Sequence, residues 1–236
     1  MARRVAARKE RVPFLIDRVI EEHAQLLLDE WSAVHGEIAP PIPLDDLVEL
    51  HLGLTYEVDD LCGRFGSADV LGAIWFNENI IRVDSSLDPS EHPQMLGRFN
   101  FTLAHEVGHW RLHRKHLLDD PSEATLFEPN GEPAFVCRSS DKRREEWQAD
   151  QFAGCLLAPR AMVRKAWATW QGSDDPVAIT QLDVIDFLDN RQANERAAME
   201  KFCKPLAARF DMSAQAMRIR LETFELLVKE IEPRLF

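Results

Sequence analysis

Apolar residues recur at three- and four-residue spacing from Leu96 to Trp110, a pattern that predicts an amphipathic helix. Pro93 stands near its first turn, where proline favours helix initiation. Two apolar, β-branched runs precede this helix, Val70 to Phe76 and Ile80 to Val83, with three residues between them. The spacing predicts a β-hairpin that leads into the helix.

The remaining pattern predicts helices with few further strands. Residues 54–58 alternate as a short strand, and the proline-rich segment 117–138 is expected to be a long loop, of a length that often forms a lid. Helical periodicity is found at 14–31, 44–52, 141–157, 195–209 and 213–228. The fold class is therefore α+β, with a small antiparallel or mixed sheet beside a mainly helical body. We expect three regions: an N-terminal tail and helix (1–43), a core (44–160) and a C-terminal helical region with a helix-turn-helix-like pair (161–236).

The predicted helix contains the pentad His105-Glu106-Val107-Gly108-His109. At about 3.6 residues per turn, His105 and His109 lie on one face, so both imidazoles can reach one Zn²⁺. Glu106 lies beside them and could accept a proton from an attacking water. This sequence pattern is that of a zinc hydrolase, provided that a third ligand exists elsewhere.

The helix predicted at 141–157 offers that ligand. Glu146 and Asp150 are four residues apart and share a face. We expect Glu146 to be the third ligand and Asp150 to accept a hydrogen bond from a ligating histidine. Glu145 is the alternative ligand, but only Glu146 has an acidic residue four positions later. Small residues would let the two helices approach closely: Ala104, Gly108, Ala149 and Ala153.

Four segments of the sequence resemble those of a known family. The segments LGAIWFNENIIRVD, FTLAHEVGHWRLH, FVCRSS and EEWQADQFAGCLLAP are similar to the ImmA/IrrE metallopeptidases, and H-E-x-x-H followed by E-x-x-x-D is the gluzincin pattern. The resemblance implies a zincin-like core with one zinc ion per chain. It matches His105, His109 and Glu146 to the metal ligands and Glu106 to the catalytic base. Asp150 stands where many relatives carry asparagine.

The resemblance also implies a function. Such proteins are bacterial, cytoplasmic endopeptidases that cleave or bind a helix-turn-helix repressor or antitoxin, in toxin–antitoxin or stress-response regulation. The alternative is a regulator that keeps the site but acts only by binding a partner protein. The net charge of −12 over 236 residues disfavours direct nucleic-acid binding and favours a basic protein partner. No apolar stretch is long enough to span a membrane.

Several residues are assigned by weaker signals. Extended peptides bind to open strand edges, so we expect substrate to pair with the outer edge of Gly72, Ala73, Ile74 and Trp75. The alternative is that this hairpin is only part of the sheet core. Tyr56 could stabilise the oxyanion or contact substrate, and the alternative is a half-buried tyrosine that serves only the strand. His113 extends the pentad by four residues but lies about 12 Å along the helix from His105, too far to share its metal ion. We expect it at the surface or at the edge of a cleft.

Overall fold

The computed structural model describes residues 12–118, 132–141, 143–182 and 191–230. The chain forms two compact units. One comprises Ile42–Leu157 together with the segment up to Ile38, and the other runs from Ala158 onward and includes Ala39–Pro41. The first unit thus takes in the N-terminal helix as well as most of the segment expected to be the core. No described helix is both long and apolar enough to cross a membrane.

The described helices and strands are named here in chain order. The helices are α1 (Asp17–His35), α2 (Leu44–Asp46, continued by a π-helical turn at Leu47–His51), α3 (Leu61–Phe65), α4 (Leu96–Leu112), α5 (Arg114–Leu118), α6 (Arg144–Leu157), α7 (Arg160–Gln171), α8 (Arg191–Arg209) and α9 (Ala214–Thr223). The strands are β1 (Thr55–Asp59), β2 (Val70–Trp75), β3 (Ile80–Asp84), β4 (Phe135–Arg138), β5 (Val177–Ala178) and β6 (Leu227–Val228). Short 3₁₀ turns lie at Ser85–Leu87, Pro93–Met95 and Ile179–Gln181.

A mixed four-stranded sheet forms one layer of the first unit. Its order is β1-β3-β2-β4; β1 is parallel to β3, and β2 is antiparallel to both of its neighbours. The predicted α+β class and the β2–β3 hairpin are confirmed. Strand β4 corrects the expectation of a loop throughout 117–138, and residues 119–131 of that segment lie outside the described residues.

Side chains alternate between the two faces of β2. Ala73 and Trp75 join a buried cluster with Leu61 of α3 on one face. Gly72 lies on the opposite face, where a Cβ atom would come within 2.7 Å of the Thr102 side chain of α4. Helix α4 therefore packs on the Gly72 face of the sheet, and α3 covers the other.

Helix α6 packs against α4 because both helices carry small residues at the contact. A Cβ atom at Gly108 would lie 3.1 Å from the Cα atom of Ala149 and 3.2 Å from the Cβ atom of Phe152. Only glycine lets the two backbones approach this closely without a shift. Helix α6 also contacts the segment before α1, because the Gln148 side chain donates a hydrogen bond to the carbonyl of Pro13.

The second unit contains the predicted helical pair as α8 and α9. The Ser213 hydroxyl accepts a hydrogen bond from the Ala216 backbone N–H and caps α9, as its position in the sequence predicts. Both arginines of α9 bond within this unit. Arg218 pairs with Glu222, and the buried guanidinium of Arg220 donates to the carbonyl of Ala158.

Candidate metal and catalytic site

Three potential donor atoms meet between α4 and α6. His105 Nε2 lies 3.0 Å from His109 Nε2, and Glu146 Oε2 lies 3.2 Å from the first and 3.5 Å from the second. All three side chains are buried. The two histidines share a face of α4 because they are four residues apart, and Glu146 faces them from the first turn of α6.

This donor set fits a zinc ion. At bond lengths of 2.0–2.1 Å, the corners of a zinc tetrahedron are about 3.3 Å apart. The observed separations of 3.0, 3.2 and 3.5 Å bracket that value. Two imidazole nitrogens and one carboxylate oxygen are also the ligand types of catalytic zinc sites, which keep a fourth position for water or substrate.

The surroundings shift the pKa of each of the three side chains in a different way. Burial by itself would raise the pKa of Glu146, but the neighbouring His109 and His105 reverse this effect and hold that pKa below its usual range. Burial by itself would lower the pKa of His105, but Cys137 and Asp150 raise it well above its usual range. Burial lowers the pKa of His109 to about 4, which keeps its ring neutral, as metal binding requires.

Two polar groups hold the donors from outside. His105 Nδ1 lies 2.8 Å from Asp150 Oδ1, the contact expected from the spacing of Glu146 and Asp150. The second oxygen of Glu146, Oε1, accepts a hydrogen bond of 3.0 Å from Arg143. Among the described residues, the carboxylate that lies with both histidines is that of Glu146 and not that of the adjacent Glu145.

Glu106 lies beside the donor set, fully buried. Neither of its carboxylate oxygens has a hydrogen-bond partner among the described residues. Burial raises its pKa to about 8, and a nearby cation would lower that value by favouring the charged form. Burying an unpaired carboxylate costs folding free energy. A role for Glu106 in the reaction best explains why a carboxylate stands here.

The model of the peptidase M78 family, described as the IrrE N-terminal-like domain, matches residues 65–222. This match covers more than half of the 236 residues. The chain belongs to this family. The resemblance to the ImmA/IrrE metallopeptidases is thereby confirmed, and the metallopeptidase class of the family agrees with the candidate metal-binding residues.

The other comparisons add little to the M78 assignment. No curated protein matches the chain significantly. Among solved structures, the chain is similar to a Mycobacterium tuberculosis transcriptional regulator, at 16% identity and a TM-score of 0.45. The match covers 90% of this chain and 48% of that protein, so the chain spans about half of the regulator's length.

Two further residues lie at the site in this M78 chain. His113, expected at the surface or cleft edge, is fully buried, and its Nδ1 lies 2.8 Å from Nδ1 of His109. The i, i+4 spacing of His109 and His113 repeats that of the zinc pentad and could have signalled this contact. Cys137 of β4 lies with His105 and Glu106, so that their potential ligand atoms are within 4.8 Å of one another.

The expected substrate edge is wrong. Strand β2 lies between β3 and β4. Gly72, Ala73 and Ile74 pair with both strands and have no open edge, and Trp75 pairs with β3. These residues are also buried, and Ala73 and Trp75 belong to the cluster on the face away from α4. The error arose because β4 was missing from the predicted sheet.

Tyr56 is not brought to the donor atoms. It lies on β1, which forms the edge of the sheet opposite to β4. Burial and then the neighbouring carboxylate of Asp45, to which the hydroxyl is hydrogen-bonded, raise the pKa of Tyr56 to about 12. The Tyr56 ring also contacts Phe99 edge-on. This position gives the phenol a partner away from the site and does not support a role in stabilising the oxyanion.

Proposed function

We propose that this M78 chain is a zinc-dependent endopeptidase that cleaves a basic regulatory protein, such as a helix-turn-helix repressor or antitoxin. The observation that carries the proposal is the buried set of His105, His109 and Glu146 beside the unpartnered carboxylate of Glu106. The set supplies three ligands and leaves one zinc position for the reaction, and the carboxylate supplies a base.

The proposed chemistry divides between the metal ion and the protein. Zinc bound at this site would polarise the scissile carbonyl and make a water molecule more acidic. Glu106 accepts the proton of the attacking water and passes it to the leaving amine. Asp150 accepts the Nδ1 hydrogen of His105, which leaves Nε2 available as a ligand, and Arg143 orients Glu146 through Oε1.

We further propose that the substrate backbone pairs with β4. It is the last strand in the sheet order, next to β2. Its side chains reach the site: the Phe135 ring stacks on His109 at 4.0 Å, and Cys137 lies beside His105 and Glu106. A terminal strand is a template for an extended peptide, so β4 takes over the role first expected of β2.

The acidic character of the chain supports a basic substrate. A net charge of −12 attracts positively charged proteins and repels other acidic ones. DNA-binding regulators carry basic surfaces that match this charge. The negative net charge therefore favours basic substrates, whereas the metal site itself would act on any accessible peptide bond.

Cleavage can be tested in a lysate of the native host by labelling newly formed N-termini. We expect the zinc-loaded protein to produce new termini in a small set of basic regulatory proteins. The same reaction after chelation of the metal ion, and a reaction with Glu106→Gln, are the controls, and both should lack these termini. New termini that persist in both controls, or that fall mainly in acidic proteins, would contradict the proposed activity or the proposed substrate class.

Gly72 has a role at this site that can be tested separately. A Cβ atom there would lie 2.9 Å from Glu106 Oε1 and 2.7 Å from the Thr102 methyl group, so Gly72→Ala must displace both side chains or shift the strand away from them. A displacement of about 1 Å at a catalytic group can cost about 100-fold. We expect kcat to fall by that order while zinc affinity stays unchanged. Wild-type kcat in a folded, zinc-loaded variant would show that Glu106 does not need this space.

A further inference from the structure

The second ring nitrogen of His109 faces another histidine. His109 Nδ1 lies 2.8 Å from His113 Nδ1, and both rings are fully buried. We propose that His113 is a positioning residue that fixes the tautomer and orientation of His109, an inference that rests on the zinc site proposed above. His113 would act on the metal ion only through His109.

The hydrogen bond between the two rings allows one arrangement when His109 is a ligand. Binding through Nε2 requires a lone pair there, so the hydrogen of the neutral ring lies on Nδ1. This Nδ1–H then donates to His113, which must accept through its own Nδ1. His113 consequently carries its hydrogen on Nε2, because a neutral imidazole keeps one hydrogen.

The two ligand histidines therefore have different supports. His105 contacts the carboxylate of Asp150, whose side chain is 54% exposed, whereas His109 contacts a neutral ring with no exposed surface. A second carboxylate at the His113 position would be a further buried anion close to Glu146. Burying another like charge there would be costly, and a neutral acceptor avoids that cost.

The surroundings of His113 hold its ring in place. Its backbone N–H donates to the carbonyl of His109 at the end of α4, and the Phe135 ring lies 4.0 Å from the His109 ring and 5.5 Å from that of His113. Nε2 of His113 has no hydrogen-bond partner among the described residues. Burying an unpaired polar atom destabilises a fold, so packing alone does not explain a histidine at position 113.

Zinc affinity of two variants tests the role of His113. His113→Leu fills the site without an acceptor, and His113→Asn restores an acceptor oxygen near the position of Nδ1. A competition titration with a chromophoric chelator should give a dissociation constant about 10–100-fold weaker for His113→Leu, the usual loss when an outer partner of a ligand is removed. His113→Asn should remain close to wild type. Asp150→Ala is the matched benchmark, with a loss of the same order.

Thermal unfolding of the metal-free proteins separates positioning from packing. We expect metal-free His113→Leu to be about as stable as wild type, because it removes one unpaired buried nitrogen, Nε2 of His113, and leaves another, Nδ1 of His109. A residue with a purely structural role would give the opposite result: lower metal-free stability in His113→Leu and no recovery of zinc affinity in His113→Asn. That pair of results would overturn the inference.

The wild-type protein offers a direct test that needs no variant. Nitrogen-15 NMR of histidine-labelled, zinc-loaded protein should place hydrogen on Nδ1 of His109 and on Nε2 of His113. Hydrogen on Nδ1 of His113, or wild-type zinc affinity in His113→Leu, would overturn the inference alone. Failure of the wild-type chain to bind zinc would overturn the proposed function as well.

Discussion

Glu106→Gln is expected to abolish proteolysis while leaving the zinc ion and the fold in place. Glutamine has the shape of glutamate but cannot accept a proton from water. Loss of general-base catalysis typically costs about 10²–10⁴ in rate. The measurement is kcat with a substrate identified by its new termini, together with the zinc content of the variant.

Glu106→Gln should leave the hydrogen bonds around the site undisturbed. Glu106 is fully buried and neither oxygen is hydrogen-bonded to another described residue, so the substitution breaks no hydrogen bond among the described residues. The variant should therefore unfold at a temperature equal to or above that of wild type. Turnover at the wild-type rate would refute the role of Glu106. A biological effect that survives the loss of proteolysis would favour a regulator that acts by binding.

The second large effect is expected for Glu146→Ala, which should lose zinc. The substitution removes one of three proposed ligands and leaves the Arg143 guanidinium, which now pairs with Glu146, close to two histidines. Zinc affinity should fall by more than about 100-fold, which exceeds the usual loss when a residue that hydrogen-bonds to a ligand is removed. Elemental analysis and a chelator competition titration would measure this loss.

Glu145→Ala is the matched control for Glu146→Ala. Glu145 is adjacent in the sequence and also buried, but only Glu146 lies within the donor set. Zinc affinity should therefore be nearly unchanged in Glu145→Ala. If Glu145→Ala lost zinc and Glu146→Ala kept it, the assignment of the third ligand would be reversed.

Local sequence patterns were sufficient for the elements that carry the proposed site. Helix α4 and the β2–β3 hairpin follow from apolar periodicity, and the position of Glu146 follows from its spacing to Asp150. Such features depend on residues within one or two turns of each other. The small-residue contact between Gly108 and Ala149 was also anticipated, because two matching pairs of small residues stood at helical spacing.

The failures concern long-range pairing. Strand β4 has only four residues, and its pairing with β2 joins segments more than sixty positions apart, which no local period encodes. Without β4, β2 was taken for an edge strand. The burial of His113 has the same origin, since the Phe135 ring that covers it belongs to β4.

The close contact at Gly108 has a consequence for the size of the ion that the site accepts. His109 lies on one helix and Glu146 on the other, so the separation of their donor atoms follows the distance between the α4 and α6 backbones. A side chain at position 108 would push against the backbone of Ala149 and widen that separation. Wider spacing suits a cation with longer bonds than those of zinc. A glycine that is not one of the donors thus helps to set the ionic radius for which the donors are spaced.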